Sequence, residues 1–573
     1  MITALRVGFA LVILVVVFSA GIGVQSLGRE LHLFPFTFVD SAAKKVTRKL
    51  LEILGDKSDQ SRLEFPSIFG IIEGISIDIP RSKRIGIGGA ITSIKNEILV
   101  LRFDGKIFIT NASGSVNNSD IEPPANGFED YLAAIKLPKY QGMSHTPGRF
   151  RYNDIAYHEG PLGTRILISY LRWHSDIECY TTTVSQVVLE APAESAEAIA
   201  INREDWETLY ETSPCLPLRA VVNSIQGEEA GGRLAFSPDG KRVYLANGDY
   251  GWNGYHSDGR HPLSSVALAQ DDANDYGKVI ELDLATGSSR HFTKGHRNPQ
   301  GIAFDQDGRL WVVEHGPRGG DELNLLQDGE NYGWPFETYG TDYDGSPVPT
   351  AVSLGEHEAY RKPVYSWLPS IAPGSLASQT DFNPAWKSDL LVGALRGQAI
   401  YRIRIDGDRL VFAERIPIER RARDIIQLPN GTLVIWTDWF EVYVLTPAEG
   451  EDAILARALA SVAVPESLHS DLEAAVENCL GCHSLAGPEH RTGPSLRGVV
   501  ERPVAATTFQ SYSTALSAMS GRWTSDRLKR YISDPQGTVP GTTMPAPGVI
   551  DDALLDALIA LLDKTAMPAG GGQ

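Results

Sequence analysis

Sulfur is scarce in this chain, which has four cysteines and five methionines among 573 residues. So small a set excludes a disulfide-scaffolded fold and a multi-cysteine metal array. Cationic side chains are also in deficit, with 52 Lys and Arg against 71 Asp and Glu and a formal charge of −19. No basic stripe with interleaved aromatics stands out, so nucleic acid is excluded as a partner: phosphate binding needs concentrated Lys and Arg. Long apolar runs are missing apart from one at the start. Residues 7–28 follow Arg6, carry no charge and are dense in Val, Leu, Ile and Phe, about the 20 residues that a bilayer-crossing helix needs. They are read as an uncleaved anchor. A cleaved signal is the alternative, since Phe18-Ser19-Ala20-Gly21 is a weak version of a small-x-small site. Either reading places the bulk outside the cytoplasm, with inner membrane and bacterial periplasm as the expectation.

The remainder has a globular composition, 42% hydrophobic and 21% charged, which supports packed cores rather than disorder. Residues 29–84 are read as a membrane-proximal linker. Within it, residues 41–54 place apolar side chains at helical spacing opposite Lys44, Lys45, Arg48 and Lys49, an amphipathic helix that lies on lipid or packs on the next domain. From residue 85 short β-branched runs alternate with tight turns. Asp104-Gly105, Asp239-Gly240, Asp307-Gly308 and Asn430-Gly431 each precede a strand-like run. Such pairs tolerate the positive φ of tight hairpins. Hairpins repeating through residues 85–448 without a long helical pattern point to a radial all-β array, a β-propeller. Residues 449–468 form an alanine-rich linker, residues 469–565 a small all-α domain, and residues 566–573 a flexible tail.

Of the four cysteines, Cys479 and Cys482 belong to Cys479-Leu480-Gly481-Cys482-His483. This is the pattern of covalent haem c attachment, in which two thiols bond the porphyrin vinyls and the adjacent His483 ligates iron. A disulfide-forming or zinc-binding pair is the bland alternative, disfavoured because no second ligand pair exists. Cys179 and Cys215 remain, as a disulfide in an oxidising compartment or as two buried thiols. The run Thr492-Gly493-Pro494-Ser495-Leu496, then Trp523, Leu528, Tyr531 and Pro540-Gly541-Thr542-Thr543-Met544-Pro545, resembles a class I cytochrome c. That likeness implies Met544 as the second axial ligand, with Met519 and Met567 as rivals.

Three further segments carry chemistry. Gly295-His296-Arg297-Asn298-Pro299-Gln300-Gly301 sets a guanidinium and a carboxamide beside a turn, suited to an anionic, carbonyl-rich ligand. Glu314-His315-Gly316-Pro317-Arg318-Gly319-Gly320-Asp321-Glu322 and Asn331-Tyr332-Gly333-Trp334-Pro335 combine carbonyls with acids, the oxygen donors that calcium prefers. Here the chain resembles the soluble glucose and aldose sugar dehydrogenases, six-bladed propellers that use pyrroloquinoline quinone (PQQ) and calcium. The resemblance implies that Gly316 and Pro317 offer carbonyls to a quinone-polarising calcium. Glu322, Tyr332 and Asp342 would hold a second calcium. Arg297, a catalytic residue by this likeness, and Asn298 would contact the quinone and its sugar, Arg421 and Arg423 would clamp the quinone's carboxylates, and Ser370 and Arg396 would complete the site, Arg396 replacing the family's lysine. The family's catalytic histidine is Glu229 here, four residues before Arg233, so the proton acceptor becomes a carboxylate with Glu228 beside it. Residues 149–154 lack the family's substrate-side glutamine. His256 and His261 are alternative bases.

Two functions follow. One is a membrane-anchored quinohaemoprotein that oxidises a sugar or related alcohol and feeds a covalent haem c, with a respiratory-chain acceptor downstream. The other is a haem electron carrier whose degenerate propeller is a docking module.

Overall fold

The computed structural model describes residues 62–565 apart from 68–69, 141–146, 219–228, 255–266, 353–354, 379–380, 384–385, 387, 448–454, 456–457, 463, 486, 488–489 and 547–550. The expected anchor at 7–28, the amphipathic helix at 41–54, Glu228, His256, His261 and Met567 lie outside these residues. Among the described residues no helix is long and apolar enough to cross a membrane. The chain divides into two compact units, Met1–Thr446 and Pro447–Gln573.

Beside a short parallel pair, Asp120–Ile121 with Ala200–Ile201, the first unit is built from six antiparallel sheets. Their innermost strands are Gly89–Ile94, Tyr152–Gly160, Gly231–Phe236, Pro299–Phe304, Pro373–Ser378 and Ala422–Gln427. Each packs on the next and the last returns to the first, which closes the ring and removes the open edges a flat sheet would expose. The predicted turns fall between paired strands. Asp239-Gly240 joins Gly231–Phe236 to Arg242–Asn247, and Gly105, Gly240, Gly308 and Gly431 have φ of 90°, 65°, 77° and 86°. That left-handed region is why glycine follows the Asp or Asn in each. Between the fourth and fifth blades Trp311, Val313, Leu323, Leu376 and Val392 interleave as one buried cluster.

The closing blade departs from the expected boundary. Its sheet runs from Ala422–Gln427 through Leu433–Thr437 and Glu441–Pro447 to Gly70–Asp78 and Arg62–Ser67. The propeller therefore begins inside the stretch read as linker rather than at residue 85. Ile75, Ile77 and Ile79 recur at every second position, as on one face of a strand, but the partner strand Glu441–Pro447 lies more than 350 residues away in sequence. In the second blade Cys179 and Cys215 form the disulfide, Cα to Cα 5.6 Å, fastening Cys179–Leu189 to Leu216–Pro217.

One side chain ties the blades together at the axis. Arg233, 5% exposed, forms ion pairs with Asp154 (3.2 Å) and Asp424 (3.1 Å) from two other blades. It also donates to the carbonyls of Arg423 (2.6 Å), Gly374 (3.2 Å) and Gln300 (3.3 Å). Asp154 accepts from the Leu234 amide and Asp424 from the Ile91 amide. Guanidinium is the one side chain with enough donors in a planar fork to serve so many acceptors at once. Burial, opposed by Arg233, pushes the Asp154 carboxyl up to about 7 and raises that of Asp424.

The second unit is helical, with His469–Leu480, Ser525–Ser533 and Asp552–Lys564 as its main helices. Asp551 and Thr524 cap two of them, accepting from the amides of Leu554 and Arg527. Leu472, Val476, Leu528, Leu558 and Leu562 make its core, and so do Leu455 and Ala458. Part of the expected linker is thus packed structure, its small and apolar residues buried against these helices.

Candidate functional site

Arginines from several blades meet on one face of the propeller. Arg149, Arg151, Arg297, Arg421 and Arg423 line a cleft of about 590 Å³, part of it open to solvent, together with Glu229, Asn298, Gln300, His315 and Tyr343. Glu229 stands at the entry to Gly231–Phe236 with φ of 56°. It is ion-paired with Arg297 Nη2. That guanidinium also donates through Nη1 to the carbonyls of His315 and Gly316, each 3.2 Å, and through Nη2 to the Tyr343 hydroxyl at 3.3 Å. It lies 5.3 Å from the Trp334 ring, and its backbone amide donates to Glu314 Oε2 at 2.7 Å. Arg297 is therefore fixed on every side, and so is the carboxylate it holds.

Asp249 is the residue that sequence reasoning missed. Fully buried, it accepts from Trp334 Nε1 and from the Gly251 amide, each 2.7 Å. Burial first, then the charge of Glu229, pushes its carboxyl up to about 8. Asp249 therefore keeps its proton at neutral pH, because a buried carboxyl that also feels the charge of a second acid resists ionising. Asn247-Gly248-Asp249 offered a signal, an acid in a glycine-rich turn after a strand, but nothing local tied it to Glu229.

Across the cleft Arg421 Nε and Arg423 Nε each donate to Asp438 at 2.8 Å. Both arginines hold the carboxyl down at about 2 despite its burial, so the pair is rigid and charged. Ser370 donates to Asp321 Oδ1 at 3.0 Å and accepts from the Gly319 amide at 2.9 Å. It supports the Gly316–Gly320 turn rather than lining the cleft. Arg396 is exposed and Leu395 takes the lining position. A lysine replaced by an arginine signals retained charge, but the backbone here aims the apolar neighbour inward.

The calcium positions are only partly assembled. Glu322 is buried, and its carboxyl is pushed well above the usual range by burial and by Glu314. Asn324 Nδ2 donates to both acids, at 3.1 and 3.0 Å, and Asn324 Oδ1 is buried without a hydrogen bond. That oxygen-rich, anionic surrounding suits a hard cation. The other two expected ligands are turned elsewhere. The Tyr332 hydroxyl donates to the Leu325 carbonyl (2.6 Å), and Asp342 accepts from the Tyr343 amide (2.7 Å). The Gly316 carbonyl is engaged by Arg297, whereas Pro317 is buried beside it. Among the described residues no group of three or more His, Cys, Asp or Glu converges as a metal site.

In the helical unit an apolar pocket of about 300 Å³ is lined by Cys482, His483, Leu496, Trp523, Tyr531 and Met544, among others. His483 Nδ1–H donates to the Pro494 carbonyl at 2.7 Å, which fixes the tautomer and leaves Nε2 for iron. Gly493 makes room for the ring, since a Cβ there would sit 2.3 Å from His483 Cε1. Opposite, the Tyr531 hydroxyl meets Thr542 Oγ1 at 2.6 Å, bracing the turn that carries Met544. Met519 packs on the core and is absent from the pocket wall. Cys479 lies one helical turn before His483, partly buried against the same core.

The first unit is thus a propeller with an arginine-lined face, and the second a helical unit with a His- and Met-flanked pocket, the architecture of a c-type cytochrome. Residues 165–443 match the family described as Glucose / Sorbosone dehydrogenase. The aldose sugar dehydrogenase of Escherichia coli is 33% identical over 244 residues, 41% of this chain and 62% of that protein. Quinoprotein glucose dehydrogenase B of Acinetobacter calcoaceticus is 28% identical over 291 residues, 38% and 59% of the two chains. The matched part thus spans less than two thirds of either relative. Cytochrome c-550 of Nitrobacter winogradskyi is 36% identical over 93 residues, 16% of this chain and 85% of that protein. The propeller is thus similar to glucose/sorbosone dehydrogenases over residues 165–443, and cytochrome c homologues cover a C-terminal part of the chain.

Proposed function

We propose that the propeller oxidises a sugar or related alcohol with PQQ held in the arginine-lined cleft, and that a covalent haem c in the second unit receives the electrons. The observation that carries this reading is the cleft itself: five arginines line it together with one carboxylate, Glu229, which is gripped by Arg297. A quinone with several carboxylates suits that lining, and bound there it supplies a two-electron acceptor for the hydride of an alcohol carbon. Arg421 and Arg423, braced on Asp438, would hold its acid groups, and Asn298 and Arg297 would orient it. Glu229 would take the hydroxyl proton, with Arg297 fixing the direction of its lone pairs and the protonated Asp249 keeping the second negative charge away. Calcium would sit between the carbonyls of Gly316 and Pro317 and, at a second position, on Glu322. Its presence is part of the proposal.

A tethered one-electron iron centre suits a two-electron donor, because tethering raises the effective concentration of the acceptor. Thioether ligation by Met544 raises the haem potential, as an acceptor requires. The charge-free run at residues 7–28 and the Cys179–Cys215 disulfide favour an anchored protein in an oxidising compartment, with a respiratory-chain carrier as the next acceptor. A docking-module propeller is favoured by two features, the glutamate in place of histidine at position 229 and Arg149 in the stretch that lacks the family's substrate-side glutamine.

The test is reconstitution of the haem-loaded full chain, detergent-solubilised, with calcium and PQQ, following the haem absorption band during a sugar and alcohol panel. Quinone-dependent reduction of the haem that drops at least about 100-fold in Glu229→Gln, within the range for losing a general base, is the expected result. If the quinone does not bind and no substrate reduces the haem, the docking-module reading replaces it.

A further inference from the structure

Among the described residues Arg151 has no acid hydrogen-bonded to it, unlike Arg297, Arg421 and Arg423 in the cleft. Arg297 is paired with Glu229, and Arg421 and Arg423 share Asp438. Arg151 is different. It is 5% exposed, and its hydrogen bonds go to Asn153 Oδ1 (3.2 Å) and the Ile87 carbonyl (3.1 Å), both neutral. Its charged neighbours are chiefly Arg423 and Arg149, and Asp438, the acid that favours its charged form, is already bonded to Arg421 and Arg423. A guanidinium buried among cations is costly unless an anion joins it.

The position is built rather than accidental. Gly88, with φ of 120°, leaves a path for the Arg151 side chain, since a Cβ there would lie 3.0 Å from Arg151 Nη1. Arg84 lies 3.2 Å above the Phe128 ring and donates to the carbonyls of Pro147 and Phe150, pinning the loop that carries Arg149. Asn153 packs on Gly232, three residues from Glu229. Arg151 thus stands between Arg423 and the segment that presents the proton acceptor.

We propose that Arg149 and Arg151 form a carboxylate-binding subsite beside Glu229, and that the substrate is an acidic sugar such as a uronate or aldonate rather than a neutral one. This rests on the dehydrogenase reading for catalysis but not for binding. A carboxylate on this subsite has two possible sources, the substrate or the quinone. The braced Arg421–Arg423 pair already provides for the quinone's acids, which leaves the blade-two side for the substrate.

The experiment compares D-glucuronate and D-gluconate with D-glucose on the haem-loaded, PQQ-reconstituted full chain, alongside Arg149→Gln and Arg151→Gln. The half-exposed Arg149 is the safer of the two for folding. Expected are a kcat/KM at least about tenfold higher for the acids, falling by about tenfold in each variant, as loss of one charge-assisted contact predicts, while PQQ half-saturation moves less than about threefold. Preference for glucose, or a ratio unchanged in both variants, overturns the proposal. So does weaker PQQ binding with an unchanged ratio, which assigns the subsite to the cofactor. If no sugar is oxidised the dehydrogenase reading fails, and calorimetric titration of glucuronate decides alone: binding abolished in Arg149→Gln sustains the subsite, and no binding to the unaltered protein overturns it.

Discussion

Replacing Arg233 with Met tests whether the axial guanidinium unites the blades. The change removes two buried ion pairs and three carbonyl contacts, and leaves Asp154 and Asp424 facing each other without a cation. Breaking a buried pair by deleting one partner costs about 3–5 kcal/mol. Unfolding entropy near 2.1 cal/mol/K per residue gives about 0.8 kcal/mol/K for a propeller of roughly 390 residues, so Tm should fall by about 4–6 °C. The effect depends on pH. Asp154 in the folded protein titrates at about 7, above its ordinary value of 3.8, so the folded state binds the proton more tightly and stability declines as pH rises between those values. Without Arg233 both acids shift further upward and the decline extends above pH 7. Scanning calorimetry of the two proteins at pH 5 and pH 8 should show a deficit about twice as large at pH 8. A deficit independent of pH, or one below about 1 °C, would refute the account of Arg233 as a counter-ion for the buried acids.

Asp249→Asn removes a group held at about 8. In the unaltered protein that acid lowers stability as pH climbs from about 4 toward 8, so the variant should gain Tm relative to the parent between pH 5 and pH 9; a constant difference would mean that burial of the ionised acid is not what matters. Cys215→Ser opens a link between residues 36 apart, worth about 4 kcal/mol by loop-closure entropy, and denaturant titration of the second blade's unfolding should register most of it. In haem-loaded protein Met544→Ala should lower the reduction potential, and Met519→Ala should leave it in place, because only Met544 lines the pocket. Spectroelectrochemistry separates the two, and a shift in the second variant alone would reverse the ligand assignment.

The haem motif was legible because its parts are contiguous. Cys479, Cys482 and His483 fall within a single helical turn and its continuation, so backbone geometry alone brings them together. The hairpins were legible for the same reason, each encoded by an Asp-Gly or Asn-Gly pair and the runs beside it. Arg297, Arg421 and Arg423 were picked out by resemblance, and the fold does bring them to one cleft. Ser370 and Arg396 were picked out in the same way, and they fall behind or beside it. Neither the direction of a side chain nor the exchange of Leu395 for Arg396 at the wall is written in a motif.

By itself, the sequence determined the elements whose causes are local: turn chemistry, strand alternation, helix caps, and a haem-attachment motif whose residues adjoin. Tertiary structure alone decided the closing of the ring by Arg62–Ser67 and Gly70–Asp78, the binding of Arg233 to acids from two other blades, and the placing of Asp249 and Arg151 around Glu229. Those relations depend on which blade lies beside which and on burial that strips water from charge. Both arise only after segments hundreds of residues apart have packed.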